Sequence, residues 1–197
     1  MATSKGEHTR RAILEAAIVR FGREGYRATS VADIARDAGV GGTVPYSYFA
    51  DKEALFLAAI DEDAAALINE GLAGTFEAAS LTDWRQTLLV TMVGAMPGHP
   101  LAERLLAGLE PDVTGRVLEI PALAELRKAC TERLRDEQLT GRVRPDIDPP
   151  TIANGVVAIV LSLLMSVVQL GPEAVGPYGD DVVAVFEAAL DRTPPPR

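Results

Sequence analysis

The sequence predicts an all-α fold of about nine helices: a three-helix N-terminal module containing a helix-turn-helix, then a C-terminal helical bundle. Three observations predict it. Apolar residues recur at helical spacing in segment after segment, with almost no strand-type alternation. Gly and Pro cluster between those segments. Aromatic residues, which strands favour, make up only 5% of the chain.

Each element has its own signal. Residues 1–8 are polar and are expected to form a disordered leader. Ile13, Leu14, Ala17, Ile18 and Phe21 share one face of a first helix over about residues 9–24, and Gly25 suits a left-handed cap. Ser30, three residues before Asp33, resembles a capping box. The helix it opens carries Ile34, Ala35 and Ala38 and stops at Gly39. A short helix near residues 43–49 and a long one from about Asp51 follow. Residues 81–96 form an amphipathic helix ended by Pro97, and residues 101–109 a short one before Pro111. Pro121 opens a helix to about Thr140, residues 141–150 form a loop, and a long apolar helix runs from Pro149 to about Leu170. A Gly- and Pro-rich break precedes a last helix over about residues 180–191.

Charge bounds the function. The net charge of −9 alone argues against a nucleic-acid binder, because phosphates attract Lys and Arg. Its distribution points the other way. Residues 1–52 hold 8 basic and 6 acidic side chains, a net of +2; the remainder holds 11 basic and 22 acidic, a net of −11. Such a chain meets DNA head first. The competing reading is an acidic enzyme or carrier, or a purely structural helical module, with an incidental basic end. One cysteine, Cys130, allows no internal disulfide and fits a reducing cytoplasm. As a lone helix cysteine it is more often an inert thiol than a redox sensor. The apolar run 155–168 is shorter than the ~18–20 residues of a spanning helix, so it reads as a buried or interface helix. There is no phosphate loop, metal-ligand spacing or nucleophile elbow, and only two histidines, so no enzyme, metal or cofactor is expected.

The N-terminal segment carries the most specific pattern. Gly39 permits the positive φ of a tight inter-helix turn. Ala35 is small enough for two helices to cross closely, and Ile34 and Val40 fill the space between them. The run TSVADIARDAGVGGTVPYSYFADKEALF over residues 29–56, preceded by TRRAILEAAIVRFGREGY, resembles the TetR family of bacterial regulators across about residues 9–60. The resemblance implies a helix-turn-helix DNA-binding domain over residues 1–52 and a ligand-binding and dimerisation domain over 53–197. It implies that Ser30 presents a helix N-terminus to a phosphate, and that Gly42, Thr43, Val44 and Ser47 face base edges. Tyr46 and Tyr48 would bond to phosphates, and Lys52 would neutralise one. The chain departs from the family at Gly41, where Ser or Thr is usual, at Thr43, and at Pro45, where an aliphatic residue is usual. Thr43 is therefore expected to cap a shortened helix opened by Val44 and Pro45.

Specific DNA binding by so small a module calls for a homodimer on a palindromic operator. The last two helices are the expected interface, through Val156, Val160, Leu163, Leu164, Val167, Val182, Val185 and Phe186. The resemblance also places dimerisation there. The body's soft apolar residues Trp84, Leu88, Met92, Met96, Leu105, Leu109 and Met165 suggest a cavity for a mostly hydrophobic small-molecule effector, with His99, Gln169 or Glu110 as a polar handle. The whole then reads as a cytoplasmic repressor that an effector releases from DNA.

Overall fold

A computed structural model describes residues 5–77 and 84–190. Their regular secondary structure is helical. By contacts, the chain divides into two compact units: one of residues 1–67 and 95–120, the other of residues 68–94 and 121–197.

In the first unit, α1 spans Lys5–Ala28. It begins four residues before the start that the periodicity predicts, so residues 5–8 belong to a helix and not to a leader. Ile13, Leu14, Ala17 and Phe21 form its buried stripe. Gly25 interrupts it with φ +83° and ψ 169°. The positive φ is as expected. The backbone there is extended and not left-handed helical, and helical turns resume as far as Ala28. α2 spans Val31–Asp37. The Ser30 hydroxyl accepts the Asp33 N–H at 3.1 Å and donates to Asp33 Oδ2 at 2.6 Å. A Schellman arrangement closes α2: Gly39 N–H bonds to Arg36 O at 3.1 Å and Val40 N–H to Ala35 O at 2.9 Å, with Gly39 at φ +68°.

The expected helix over 43–49 is a single 3₁₀ turn, Val44–Ser47. Thr43 holds the cap position, but its side chain makes no cap hydrogen bond. Pro45 explains the shortness: it lacks an N–H, and it is buried together with Phe49. α3 spans Lys52–Glu77, with residues 52–67 in this unit and 68–77 in the second, and opens on Asp51, whose Oδ1 accepts the Ala54 N–H at 2.8 Å. Phe21, Tyr26 and Phe56 form the aromatic centre of the unit, Phe56 lying 4.8 Å from each of the other two ring centroids. α5 (Pro100–Leu106) packs on α1, and α6 (Pro111–Thr114) follows it.

The second unit contains α4 (Trp84–Ala95), α7 (Pro121–Leu139), α8 (Pro149–Leu170), α9 (Pro172–Val175) and α10 (Gly179–Leu190). α7 packs on α8. Asp148 caps α8, its Oδ2 accepting the Thr151 N–H at 3.2 Å and the Thr151 hydroxyl at 2.6 Å. Gln138 donates to the carbonyls of Arg144 and Ile147, both at 3.0 Å, and so fixes the loop between α7 and α8. The short apolar run noted in the sequence lies inside a 22-residue helix, which by length and composition alone could cross a bilayer. In this unit, however, Ala153, Val156, Val157, Val160 and Leu164 of α8 are core residues.

Candidate nucleic-acid interface and effector cleft

The turn after Gly39 lies largely exposed on the first unit. Gly42, Thr43, Tyr46 and Ser47 are exposed, Tyr46 at 55%, while Val44 and Tyr48 are half-buried. Pro45 and Phe49 anchor the turn from below, so its polar side chains point outward on a fixed base. Ser30 is exposed, with its hydroxyl engaged by Asp33. Two cations lie on aromatic faces: Lys52 Nζ is 4.4 Å from the Tyr26 centroid, and the Arg10 guanidinium is 5.3 Å from that of Phe49. The cation–π contacts hold both charges beside the turn and leave them formally positive.

The other arginines of residues 1–52 face carboxylates. Arg20 reaches Asp37 at 2.6 Å and Glu24 at 3.0 Å; Arg23 reaches Glu24 at 2.7 Å, and Arg36 reaches Asp33 at 2.5 Å. Arg11 pairs with Glu15 at 3.7 Å and Arg27 with Asp112 at 3.2 Å. The acids respond accordingly. The Arg20 hydrogen bond holds Asp37 below the usual carboxylate range, and the Arg23 hydrogen bond does the same for Glu24. Asp33 is lowered first by the Ser30 hydroxyl and then by Arg36.

The expected effector residues are drawn from both units. Trp84, Leu88 and Met92 are buried in the second unit, whereas Met96, His99 and Leu105 are buried in the first. Leu109 is exposed, Gln169 is exposed and Met165 is half-buried. The polar handles have structural work. His99 Nδ1 lies 2.9 Å from Asp63 Oδ1, and Glu110 Oε1 takes the Tyr26 N–H at 3.1 Å and Arg104 Nε at 2.7 Å. Trp84 and Leu88 line a cavity of about 150 Å³ that also touches Cys130.

A larger cleft, about 270 Å³, lies in the second unit among α4, α8 and α10. Its walls include Val160, Leu163, Val167, Val182 and Phe186, all expected from the sequence to be dimer contacts. Val156 and Leu164 are buried in the core, while Val185 is 62% exposed. Of the expected interface set, Val156, Val160, Leu164 and Phe186 are buried within the protomer, and Leu163, Val167 and Val182 are half-buried.

Comparison with known proteins decides the family. The family model described as bacterial regulatory proteins, tetR family, matches residues 13–59. The HTH-type transcriptional repressor Rv1474c of Mycobacterium tuberculosis is 30% identical over 172 residues, spanning 83% of this chain and 84% of that protein. The chain belongs to the TetR family. As a member it is a transcriptional regulator with a helix-turn-helix DNA-binding domain. A TetR-family transcriptional regulator from Pectobacterium atrosepticum shares its fold, with TM-score 0.78 at 17% identity over 98% of this chain and 100% of that one. The TetR family protein CprB from S. coelicolor matches with TM-score 0.59 at 25% identity, over 95% and 91% of the two chains.

Several residues that shape this TetR-family chain escaped the sequence reading. Asp63 sits within an apolar helical stretch, and nothing local marks it as the partner of His99. Arg85 is buried beside Trp84 and Phe186. Glu137 accepts the Trp84 indole N–H at 3.2 Å, a contact 53 residues apart in sequence.

Proposed function

We propose that this regulator is a homodimeric, cytoplasmic repressor that grips a palindromic operator with two copies of the turn after Gly39 and leaves it when a mostly hydrophobic small molecule binds the body. In this reading residues 1–52 are the DNA-binding domain, and 53–197 bind the effector and the second protomer. One observation carries the DNA-binding part: Thr43, Tyr46 and Ser47 stand exposed on a turn whose own core, Pro45 and Phe49, is buried. Such a turn presents side chains to a groove without spending them on packing. Thr43 and Ser47 are suited to base edges, Val44 to a thymine methyl, and Tyr46 and Tyr48 to phosphates, with Lys52 and Arg10 supplying charge. The relative's name, a transcriptional repressor, supports the sign of regulation.

The dimer is supported by α8. Only 28% of its most apolar stretch is buried within the protomer. Its side opposite the core carries Thr151, Gly155, Ala158 and Ser162, all exposed and small. α10 adds exposed Ala184, Val185 and Ala188. A second copy covering these faces would bring backbones close and hide the apolar helix from water. Two heads set ~34–36 Å apart, one DNA turn, would then read the half-sites. Effector binding would favour a state with the heads displaced through α3, so DNA and effector would antagonise each other reciprocally.

Selection of bound fragments from random DNA with the purified protein tests this. The expected product is a palindromic site, bound by the wild type and weakened by Tyr46→Ala. Recovery of no enriched sequence, or of an unpaired half-site bound one protomer at a time, would overturn the proposal.

A further inference from the structure

Lys52 is the first residue of α3, where the aligned peptide dipoles present their positive end. A cation is disfavoured at that end unless something offsets the repulsion. The Tyr26 ring supplies the offset: Lys52 Nζ lies 4.4 Å from its centroid, over the electron-rich face. Both residues are half-buried, so the ammonium is seated without being enclosed. A lysine stem is long and flexible, and an ammonium already seated loses less freedom when it meets a phosphate.

Tyr26 is itself held in place. Its ring centroid lies 4.8 Å from that of Phe56 and 6.2 Å from that of Phe21. Its backbone follows the break in α1 at Gly25, and its N–H bonds to Glu110 Oε1 at 3.1 Å. Arg104 Nε bonds to the same oxygen at 2.7 Å, and the Glu110 side chain is only 12% exposed. A charge-assisted bond of this kind fixes the backbone from which the ring projects, while the aromatic contacts fix the ring. The path from Arg104 through Glu110 and Tyr26 to Lys52 lies wholly within the first unit.

We infer that Tyr26 and Glu110 are positioning residues for operator binding: Glu110 fixes the Tyr26 backbone, and the Tyr26 ring seats the Lys52 ammonium for a DNA phosphate. The inference rests on the reading of Lys52 as a phosphate ligand given above.

Fluorescence anisotropy with the full-length protein and the selected operator tests it. Tyr26→Phe keeps the ring face and should bind within about twofold of the wild type. Tyr26→Leu keeps bulk without the face and should weaken binding roughly tenfold, about threefold at each of two heads. Glu110→Ala should weaken it as well. If that variant fails to fold, Glu110→Gln takes its place, with a smaller loss of about threefold, because a neutral amide oxygen accepts the Tyr26 N–H more weakly than a carboxylate. The deciding comparison is a double-mutant cycle with Lys52→Gln. In that background the Tyr26→Leu and Glu110 variants should each change affinity by less than about twofold, since the ammonium they position is gone. A purely structural role would give the same loss with or without Lys52. Tyr26→Leu binding like the wild type, or a loss that persists whole in the Lys52→Gln background, overturns the inference and leaves the repressor reading standing. A wild type that binds no operator overturns both.

Discussion

His99 Nδ1 lies 2.9 Å from Asp63 Oδ1, with both side chains buried. The other oxygen of Asp63 accepts the backbone N–H groups of Leu101 at 3.0 Å and Ala102 at 2.8 Å. One carboxylate on α3 therefore caps the first turn of α5 and orients the ring that precedes it. A buried carboxylate with three donors loses its water but recovers most of the loss locally. Asp63→Ala would orphan those donors and should cost about 3–5 kcal/mol in urea denaturation. Asp63→Asn, which keeps one acceptor, should cost clearly less. A loss under about 1 kcal/mol for the alanine variant would mean that water replaces the cap.

Gly25 and Gly39, two of the three positive-φ glycines of the first unit, should respond differently to alanine. A Cβ on Gly39 meets nothing within 4 Å, so Gly39→Ala carries only the left-handed backbone penalty of ~1–2 kcal/mol. A Cβ on Gly25 would collide with the Arg104 guanidinium and lie 2.8 Å from Glu110 Oε1. It would break the contacts that hold Arg104 and the Tyr26 N–H on Glu110. Thermal unfolding should rank Gly25→Ala well below Gly39→Ala. The opposite order would refute the clamp.

These contacts mark where sequence reasoning stops. Elements governed by local chemistry were legible: Ser30 as a cap, Gly39 as a turn, Pro45 as the residue that shortens the reading helix, Asp51 near the start of α3. The helix faces were legible only in part. On α8 the bulky valines signalled a sticky surface, but apolar residues surround most of that helix, and periodicity cannot say which side its own protomer takes. The protomer takes Val156, Val160 and Leu164 and leaves Gly155, Ala158 and Ser162 outside. The predicted effector set draws on both units. Met96, His99 and Leu105 follow Met92 closely in sequence, yet the chain passes from one unit to the other between residues 94 and 95. Long-range partners such as Asp63 with His99 leave no local trace.

Salt dependence should separate paired from available cations in the head. Arg11, Arg20, Arg23, Arg27 and Arg36 each face a carboxylate, which leaves Lys5, Arg10 and Lys52 as the main phosphate ligands. Two heads then neutralise roughly six phosphates, for a log–log slope of about −5. Lys52→Gln should flatten that slope by about 2 per dimer, one per head. Fluorescence anisotropy across a salt series measures both. A slope near about −10 would show that the surface pairs open on DNA, as weak exposed pairs are able to do.

Cys130 should be unreactive in the folded protein. Burial pushes its thiol up to about 12, and the nearby positive charge of Arg85 offsets only part of that rise. The thiolate is the reactive form, so at pH 8 a disulfide reagent finds almost none. Labelling should be slow in buffer and complete within minutes in denaturant. Rapid labelling under native conditions would show that the cavity beside Trp84 opens to solvent.

The last prediction chooses between two faces of α8. Ala158 is exposed and Val160 is 3% exposed, although they are two residues apart. If the second protomer covers the small-residue side, Ala158→Glu places a charge in a close helix contact, where it has neither room nor a partner. Light scattering should then report a monomer, circular dichroism an unchanged helix content, and operator affinity a steep fall, because each head must bind alone. Val160→Ala should behave in the opposite way. It removes buried methyl groups, costs on the order of 2 kcal/mol of stability, and leaves the dimer intact. A dimer that survives Ala158→Glu but falls apart with Val160→Ala would assign the interface to the valine side and turn the cleft beside it into a contact between protomers.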